Sequence, residues 1–198
     1  MKATAVAPSN IAFIKYWGKK DEALRIPSNG SISMNLSHVL TVTTVEFSSD
    51  YEDDVVIIDD IEQLGVARDR VVAHLNTVRK FADVPDFTKV VSKNNFPSST
   101  GLSSSASGFA ALTLAASTAA GLSLSEKELS ILARQGSGSA CRSIPSGFVE
   151  WVCGDTNEMS YAQSLYAPEY WDIADVVVIF NKEKKVNYRS YFSYSVNS

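Results

Sequence analysis

Residues 94–109 read NNFPSSTGLSSSASGF, and the fold turns on whether this Ser/Gly-rich run is a linker or a built loop. Composition alone allows a flexible linker. The flanks argue otherwise. FTKVVSKN (87–94) has strand character, and SGFAALTLAASTAAGL (107–122) is apolar nearly all round, as in a buried helix. Pro97 and Gly101 shape the turn between them. Such a strand–loop–helix unit points backbone N–H groups and serine hydroxyls at a helix N-terminus. The helix dipole favours an anion there, and phosphate is the natural guest. The reading predicts a loop over 98–106 and a helix over 107–120. The run lacks the Gly-Lys-Ser/Thr ending of a Walker A loop and the Gly-x-Ser-x-Gly of a hydrolase elbow.

Upstream, SISMNLS (31–37) alternates Ile32, Met34 and Leu36 with polar residues, which suits a half-buried strand. TVTTVEF (41–47) and DVVIID (54–59) are rich in β-branched residues and predict two more strands. Val71, Leu75, Val78 and Ala82 share one face of a helix over about 65–82. Downstream, Ser125 followed by Glu128 is a capping box that opens a helix over 125–135, with Leu129, Leu132 and Ala133 on one face. GFVEWVC (147–153) and DVVVIF (175–180) predict strands, the second buried on both faces. No internal repeat is visible, and this order of elements argues for an α+β domain.

With 45% hydrophobic and 20% charged residues over 198, the chain has an ordinary globular balance. The 18 Lys and Arg against 22 Asp and Glu leave a net charge of −4, which disfavours a general nucleic-acid binder and makes any anion site local. Cys141 and Cys153 cannot build a disulfide framework, so a reducing cytoplasm fits best. No apolar run reaches membrane-spanning length, and the N-terminus lacks the continuous apolar core of a signal peptide. His38 and His74 are the only histidines, and nothing at ligand spacing suggests a structural zinc site. Cys141 has no histidine base nearby in sequence and reads as a packed residue rather than a nucleophile.

Three ordered blocks carry a resemblance. PSSTGLSSSA (97–106) has the form P-x-x-x-G-L-x-S-S-A. It resembles the phosphate loop of the small-molecule kinase superfamily that includes galactokinase, homoserine kinase and mevalonate kinase. NIAFIKYWGKKD (10–21) and ARQGSGSACRSIPSGFVEW (133–151) resemble the corresponding blocks of the mevalonate diphosphate decarboxylase family. The similarity runs discontinuously from about residue 3 to about residue 186. It implies the α+β N-terminal domain of that superfamily, a fold shared with a domain of a small-subunit ribosomal protein. That domain, binding ATP and substrate, is expected over 1–186, with a divergent tail over 187–198.

The resemblance also implies chemistry. Mevalonate 5-diphosphate is phosphorylated by ATP, with Mg²⁺, on its tertiary hydroxyl. The new phosphate then leaves as the carboxylate departs as carbon dioxide, giving isopentenyl diphosphate. Such a site must gather a diphosphate, a carboxylate and a nucleotide, so cations and oriented N–H groups have to offset their repulsion. By resemblance, Tyr16 and Lys19 bind the diphosphate, Lys15 lies near the reacting hydroxyl, and Asn10 lies near the substrate carboxylate. Ser137 and Ser139 hydrogen-bond the diphosphate, while Arg142 grips the carboxylate through its bidentate fork. Lys15 and Arg142 are thus the implied catalytic residues. Gly136 and Gly138 let the backbone approach an anion closely. On the nucleotide side stand Ser104 and Ser105, with Ser92 from the preceding strand and Gly101 at the turn. Arg189 aligns with an arginine that contacts the diphosphate in bacterial members. The partner is a small molecule, without nucleic acid or membrane, and a homodimer is among the arrangements the resemblance allows.

The family's Asp-x-Gly-Pro-Asn block, whose aspartate sits by the substrate hydroxyl, does not occur in these 198 residues, and after KKV (184–186) the sequence departs from the family pattern. The expectation is an incomplete chain that binds poorly and does not turn over alone. Two other readings stay open. One is a non-catalytic remnant that binds nucleotide or another anion. The other is a related kinase or decarboxylase acting on mevalonate or its monophosphate.

Overall fold

The computed structural model describes residues 1–97 and 103–176. In chain order the main elements are β1 (Lys2–Ile14), β2 (Lys19–Asp21), β3 (Ile26–Pro27), β4 (Ser31–Ser48), β5 (Val55–Ile58) and β6 (Ile61–Glu62). Then come α1 (Val66–Ala82), β7 (Phe87–Asn94), α2 (Ser104–Ala119), α3 (Glu126–Gly136), a 3-10 helix (Gly138–Ser143), β8 (Phe148–Trp151) and β9 (Ala162–Tyr166). Among the described residues seven strands form one mixed sheet, in the order β6-β5-β7-β4-β8-β9 with β1 on β4. All neighbours are antiparallel except β5 and β7. The architecture is α+β, as the pattern of elements implies.

β4 is the spine. β1 runs along one side of it, while the other side takes β7 against Thr41–Ser48 and β8 against Ser31–Met34. Pro8 faces Leu40 but Ser9 faces Leu36, so Ser37–Val39 bulge out of the pairing. The bulge explains why this single strand reads in sequence as two, 31–37 and 41–47. It also separates two working halves of the sheet, one at the 3-10 helix and one under α1 and α2. β1 is a strand that the sequence pattern does not announce. Pro8 is tolerated because β1 pairs with β4 on one side only among the described residues.

α2 crosses β1 and β4 and is buried on almost every face, from Ala106 to Ala119, which is why it shows so little polar surface. α1 and α3 pack on it, and Val45, Phe47, Val56, Leu75, Val78, Val90 and Leu132 join its alanines in one core. α2 starts at Ser104, earlier than the expected 107, because Ser103 takes the left-handed turn (φ 54°) that ends the loop. It ends within one residue of the expected 120. Gly121 (φ 77°) closes it in a Schellman motif, with Leu122 N–H on Ser117 O at 2.9 Å and Gly121 N–H on Thr118 O at 3.1 Å. α3 carries the predicted capping box: Glu128 N–H donates to Ser125 Oγ and Ser125 N–H to Glu128 Oε2. Of the expected strand 175–180, Asp175 and Val176 are not in a strand, and the rest lies outside the described residues.

Candidate active site

The stretch RQGSGSACRS (134–143) closes α3 and forms the 3-10 helix, so its two arginines leave in different directions. Arg134 turns into the protein and serves structure. Its guanidinium donates to the carbonyls of Leu24, Asn157 and Ser160 and to Asn157 Oδ1, tying the β2–β3 hairpin to the loop before β9. Arg142 turns under β4. It is only 3% exposed, and its partners are all neutral: Nε donates to Ser33 Oγ at 3.1 Å, Nη1 to Ser31 Oγ at 2.6 Å, and Nη2 to Asn10 Oδ1 at 3.1 Å. Its guanidinium lies 5.9 Å from the Trp151 ring. Burial pushes its pKa below the ordinary arginine value, yet a guanidinium remains protonated in proteins. A buried cation without a carboxylate partner is costly unless an anion completes it.

Asn10 holds this arrangement together. Its Nδ2 donates to Ser143 Oγ at 2.8 Å and Ser139 O at 3.1 Å, which leaves Oδ1 to accept from Arg142. A cleft of about 170 Å³ opens above the pair, lined by Asn10, Ile11, Ala12, Lys15, Tyr16, Ser103 and Arg142. Tyr16 stands edge-on to Trp151, with ring centroids 4.8 Å apart. Gly138 makes that stance possible: a Cβ there would lie 3.2 Å from Tyr16 Oη and 3.1 Å from Trp151 Cη2. Gly136 has a different reason to be glycine. A Cβ on it would strike Phe109 Cδ1 at 2.3 Å, so it serves the packing of α3 on α2 rather than an anion.

A second cavity, of about 770 Å³, lies between α1, α2 and the β5–β7 part of the sheet. That volume is in the range of sites for cofactors and other small molecules. Ser104, Ser105, Ser92 and Asn94 line it together with Val56, Ile58, Val90, Phe109 and Leu112. Gly108 also lines it, and a Cβ on Gly108 would meet nothing within 4 Å, so α2 turns bare backbone toward the space. Arg70 reaches over the Phe109 ring at 5.3 Å from the α1 side. The start of α2 borders both cavities, with Ser103 on the small one and Ser104 and Ser105 on the large one.

A sequence model of the diphosphomevalonate decarboxylase-like N-terminal domain matches residues 7–162. The chain belongs to the diphosphomevalonate decarboxylase family. A diphosphomevalonate decarboxylase of Aspergillus fumigatus is 37% identical over 203 residues, which span 93% of this chain and 50% of that protein. Among solved structures, the mevalonate diphosphate decarboxylase of Enterococcus faecalis superposes with a TM-score of 0.81 at 48% identity, covering 84% of this chain and 52% of its own. A structure described as MDDEF in complex with MVAPP, AMPPCP and magnesium gives 0.82 at 47% identity, covering 85% of this chain and 52% of that one. The chain therefore spans about half the length of the relatives it matches.

The residues singled out by resemblance to decarboxylase-family blocks fall in three groups. Asn10, Lys15, Tyr16 and Arg142 share the small cleft. Ser92, Ser104 and Ser105 share the large cavity, although the Ser92 hydroxyl is already 2.9 Å from Thr43 Oγ1. Ser137, Ser139 and Lys19 line neither cavity. Ser137 and Ser139 flank Gly138 below Tyr16, and Lys19 Nζ is paired with Glu22 at 2.6 Å. Gly101 and Arg189 lie outside the described residues. Sequence reading of this decarboxylase-family chain missed Ser31, Ser33 and Ser103. Alternating serines in a strand carry the signature of a solvent face, yet Ser31 and Ser33 are 2% and 0% exposed. Cys141 is buried with its thiol pushed up to about 12 by burial, consistent with a packed residue. Among the described residues no three His, Cys, Asp or Glu cluster as metal ligands, and no helix is long and apolar enough to cross a membrane.

Proposed function

We propose that the small cleft binds mevalonate 5-diphosphate and the large cavity binds ATP, in the ATP-dependent decarboxylation that yields isopentenyl diphosphate, carbon dioxide, ADP and phosphate. The observation that carries the reading is Arg142, a buried cation held by three neutral acceptors at the head of a cleft. A carboxylate is the anion that a guanidinium fork fits best in such a place. Lys15, exposed at the mouth of the same cleft, supplies a second charge where phosphate is transferred. Tyr16 offers its hydroxyl beside Gly138, and Ser137 and Ser139 on either side of that glycine are the neighbouring groups for a diphosphate, while Lys19 on β2 would have to leave Glu22 to join them.

The large cavity fits a nucleotide on this chain's own features. Ser104 and Ser105 bring hydroxyls and free first-turn N–H groups to one end, and apolar Val56, Val90, Phe109 and Leu112 suit a base at the other. Because Ser103 borders the small cleft, the phosphate end points at the substrate. Magnesium, when bound, neutralises phosphate charge. Mg²⁺ is usually held by one or two carboxylates plus phosphate oxygens, and the carboxylates on this wall are Asp59 and Asp60, the latter paired with Lys93 at 3.0 Å.

The test is calorimetric binding of mevalonate 5-diphosphate to the purified chain, alone and with AMPPCP. Arg142→Lys is expected to weaken substrate binding by about tenfold or more, because a point charge cannot reproduce a charged bidentate bond. AMPPCP affinity is expected to stay the same. Equal substrate affinity in wild type and variant would remove Arg142 from the site.

A further inference from the structure

The serines beneath Arg142 do more than fill space. Ser31 and Ser33 are alternate residues of β4 and therefore face the same way, toward the guanidinium. A guanidinium has five N–H groups. Nε spends its one on Ser33, Nη1 spends one on Ser31, and Nη2 spends one on Asn10. One N–H therefore remains on each terminal nitrogen, available to a carboxylate. Both serine hydroxyls accept without carrying charge. Any carboxylate in their place would neutralise Arg142 before a ligand arrived, and no salt bridge to Arg142 exists among the described residues.

We propose that Ser31 and Ser33 are positioning residues that keep Arg142 un-neutralised and aim its free fork at the substrate carboxylate. The proposal rests on the reading of the small cleft given above. It separates two demands that one acidic partner would merge: fixing the rotamer and preserving the charge. Covalent spacing along β4 sets the two hydroxyls at the distance of one strand repeat. The arginine is thereby gripped from Nε and Nη1, and cannot swing without losing both.

The experiment compares two diphosphates. Mevalonate 5-diphosphate carries the carboxylate, and isopentenyl diphosphate lacks it. Calorimetry is run on the wild-type chain and on Ser31→Ala, Ser33→Ala, Ser31→Thr and Ser31→Asp, with thermal unfolding of each. Each alanine variant is expected to lose about tenfold in affinity for mevalonate 5-diphosphate, the scale of one hydrogen bond to a charged group. Its affinity for isopentenyl diphosphate should stay level. Ser31→Thr, which keeps the hydroxyl, should retain both. Ser31→Asp should unfold no earlier than wild type yet lose mevalonate 5-diphosphate, because the arginine then has its counter-ion. Equal losses for the two ligands in the alanine variants, or no loss for either, would overturn the positioning role while wild-type binding stands. Failure of the wild-type chain to bind mevalonate 5-diphosphate would defeat the reading of the cleft and the positioning role with it. If Ser31→Ala does not fold, Ser33→Ala and Ser31→Asp decide the matter by the same criteria.

Discussion

His74 is a buried base whose tautomer can be deduced. Thr113 Oγ1 donates to Phe109 O at 2.7 Å, so at 2.8 Å from His74 Nε2 it must accept, which puts the ring proton on Nε2. Nδ1 is left bare and without a partner. Burial, and then the charge of Arg25, lower the pKa from 6.5 to about 4. The unfolded chain therefore binds the extra proton first. This contribution to stability is complete above 6.5 and is lost as pH falls toward about 4. The full loss is about 3 kcal/mol from the size of that shift. Urea unfolding across that window should show a steeper fall for wild type than for His74→Leu, and parallel curves would count against the assignment. How far single residues are legible in the sequence depends on the range of their partners. Asn10, Tyr16 and Arg142 sit in contiguous blocks whose resemblance to the family marks them as site candidates. Ser31 and Ser33 take their meaning from a cation 111 and 109 positions further along the chain, and nothing local signals that distance.

The helices divide according to what their glycines do. Gly136 ends α3 against Phe109 and His74, and Gly136→Ala would drive a Cβ to 2.3 Å from Phe109 Cδ1. We expect a loss of about 1–3 kcal/mol in urea unfolding, the usual cost of overpacking. Gly108 is the opposite case, facing the open large cavity. Gly108→Ala should stabilise α2 by up to about 1 kcal/mol and at the same time weaken AMPPCP binding in calorimetry, because the added methyl stands in the cavity proposed for the nucleotide. A variant both more stable and unimpaired in binding would displace the nucleotide from that wall. Periodicity made α1, α3 and β7 readable almost to the residue, since each has its own local pattern or cap. β1 escaped because Pro8, Ser9 and Asn10 interrupt any alternation, and its strand state comes from β4. The start of α2 escaped because three serines look like loop until Ser103 is seen to make the turn.

At the level of the whole molecule, class and architecture follow from the order of elements, while the pairing partners do not, since every strand beside β4 except β1 arrives from far along the chain. The sheet has a sequence of construction built into it. β4 can meet β1 once residue 48 has been made, and β7 once residue 94 has. β8 completes the other edge only when residues 148–151 return to Ser31–Met34, after the 3-10 helix has brought Arg142 beneath them. Pairings of such long sequence separation form late. In pulse-labelled hydrogen exchange during refolding, amides of Phe87–Asn94 should gain protection before those of Phe148–Trp151; the reverse order would contradict this. The half of β4 that holds Arg142 through Ser31 and Ser33 is then the last to be sealed and the first to breathe. If the proposed substrate binds there, it becomes a clasp on the final seam, and its largest effect on the protein's lifetime is to slow the first step of coming apart.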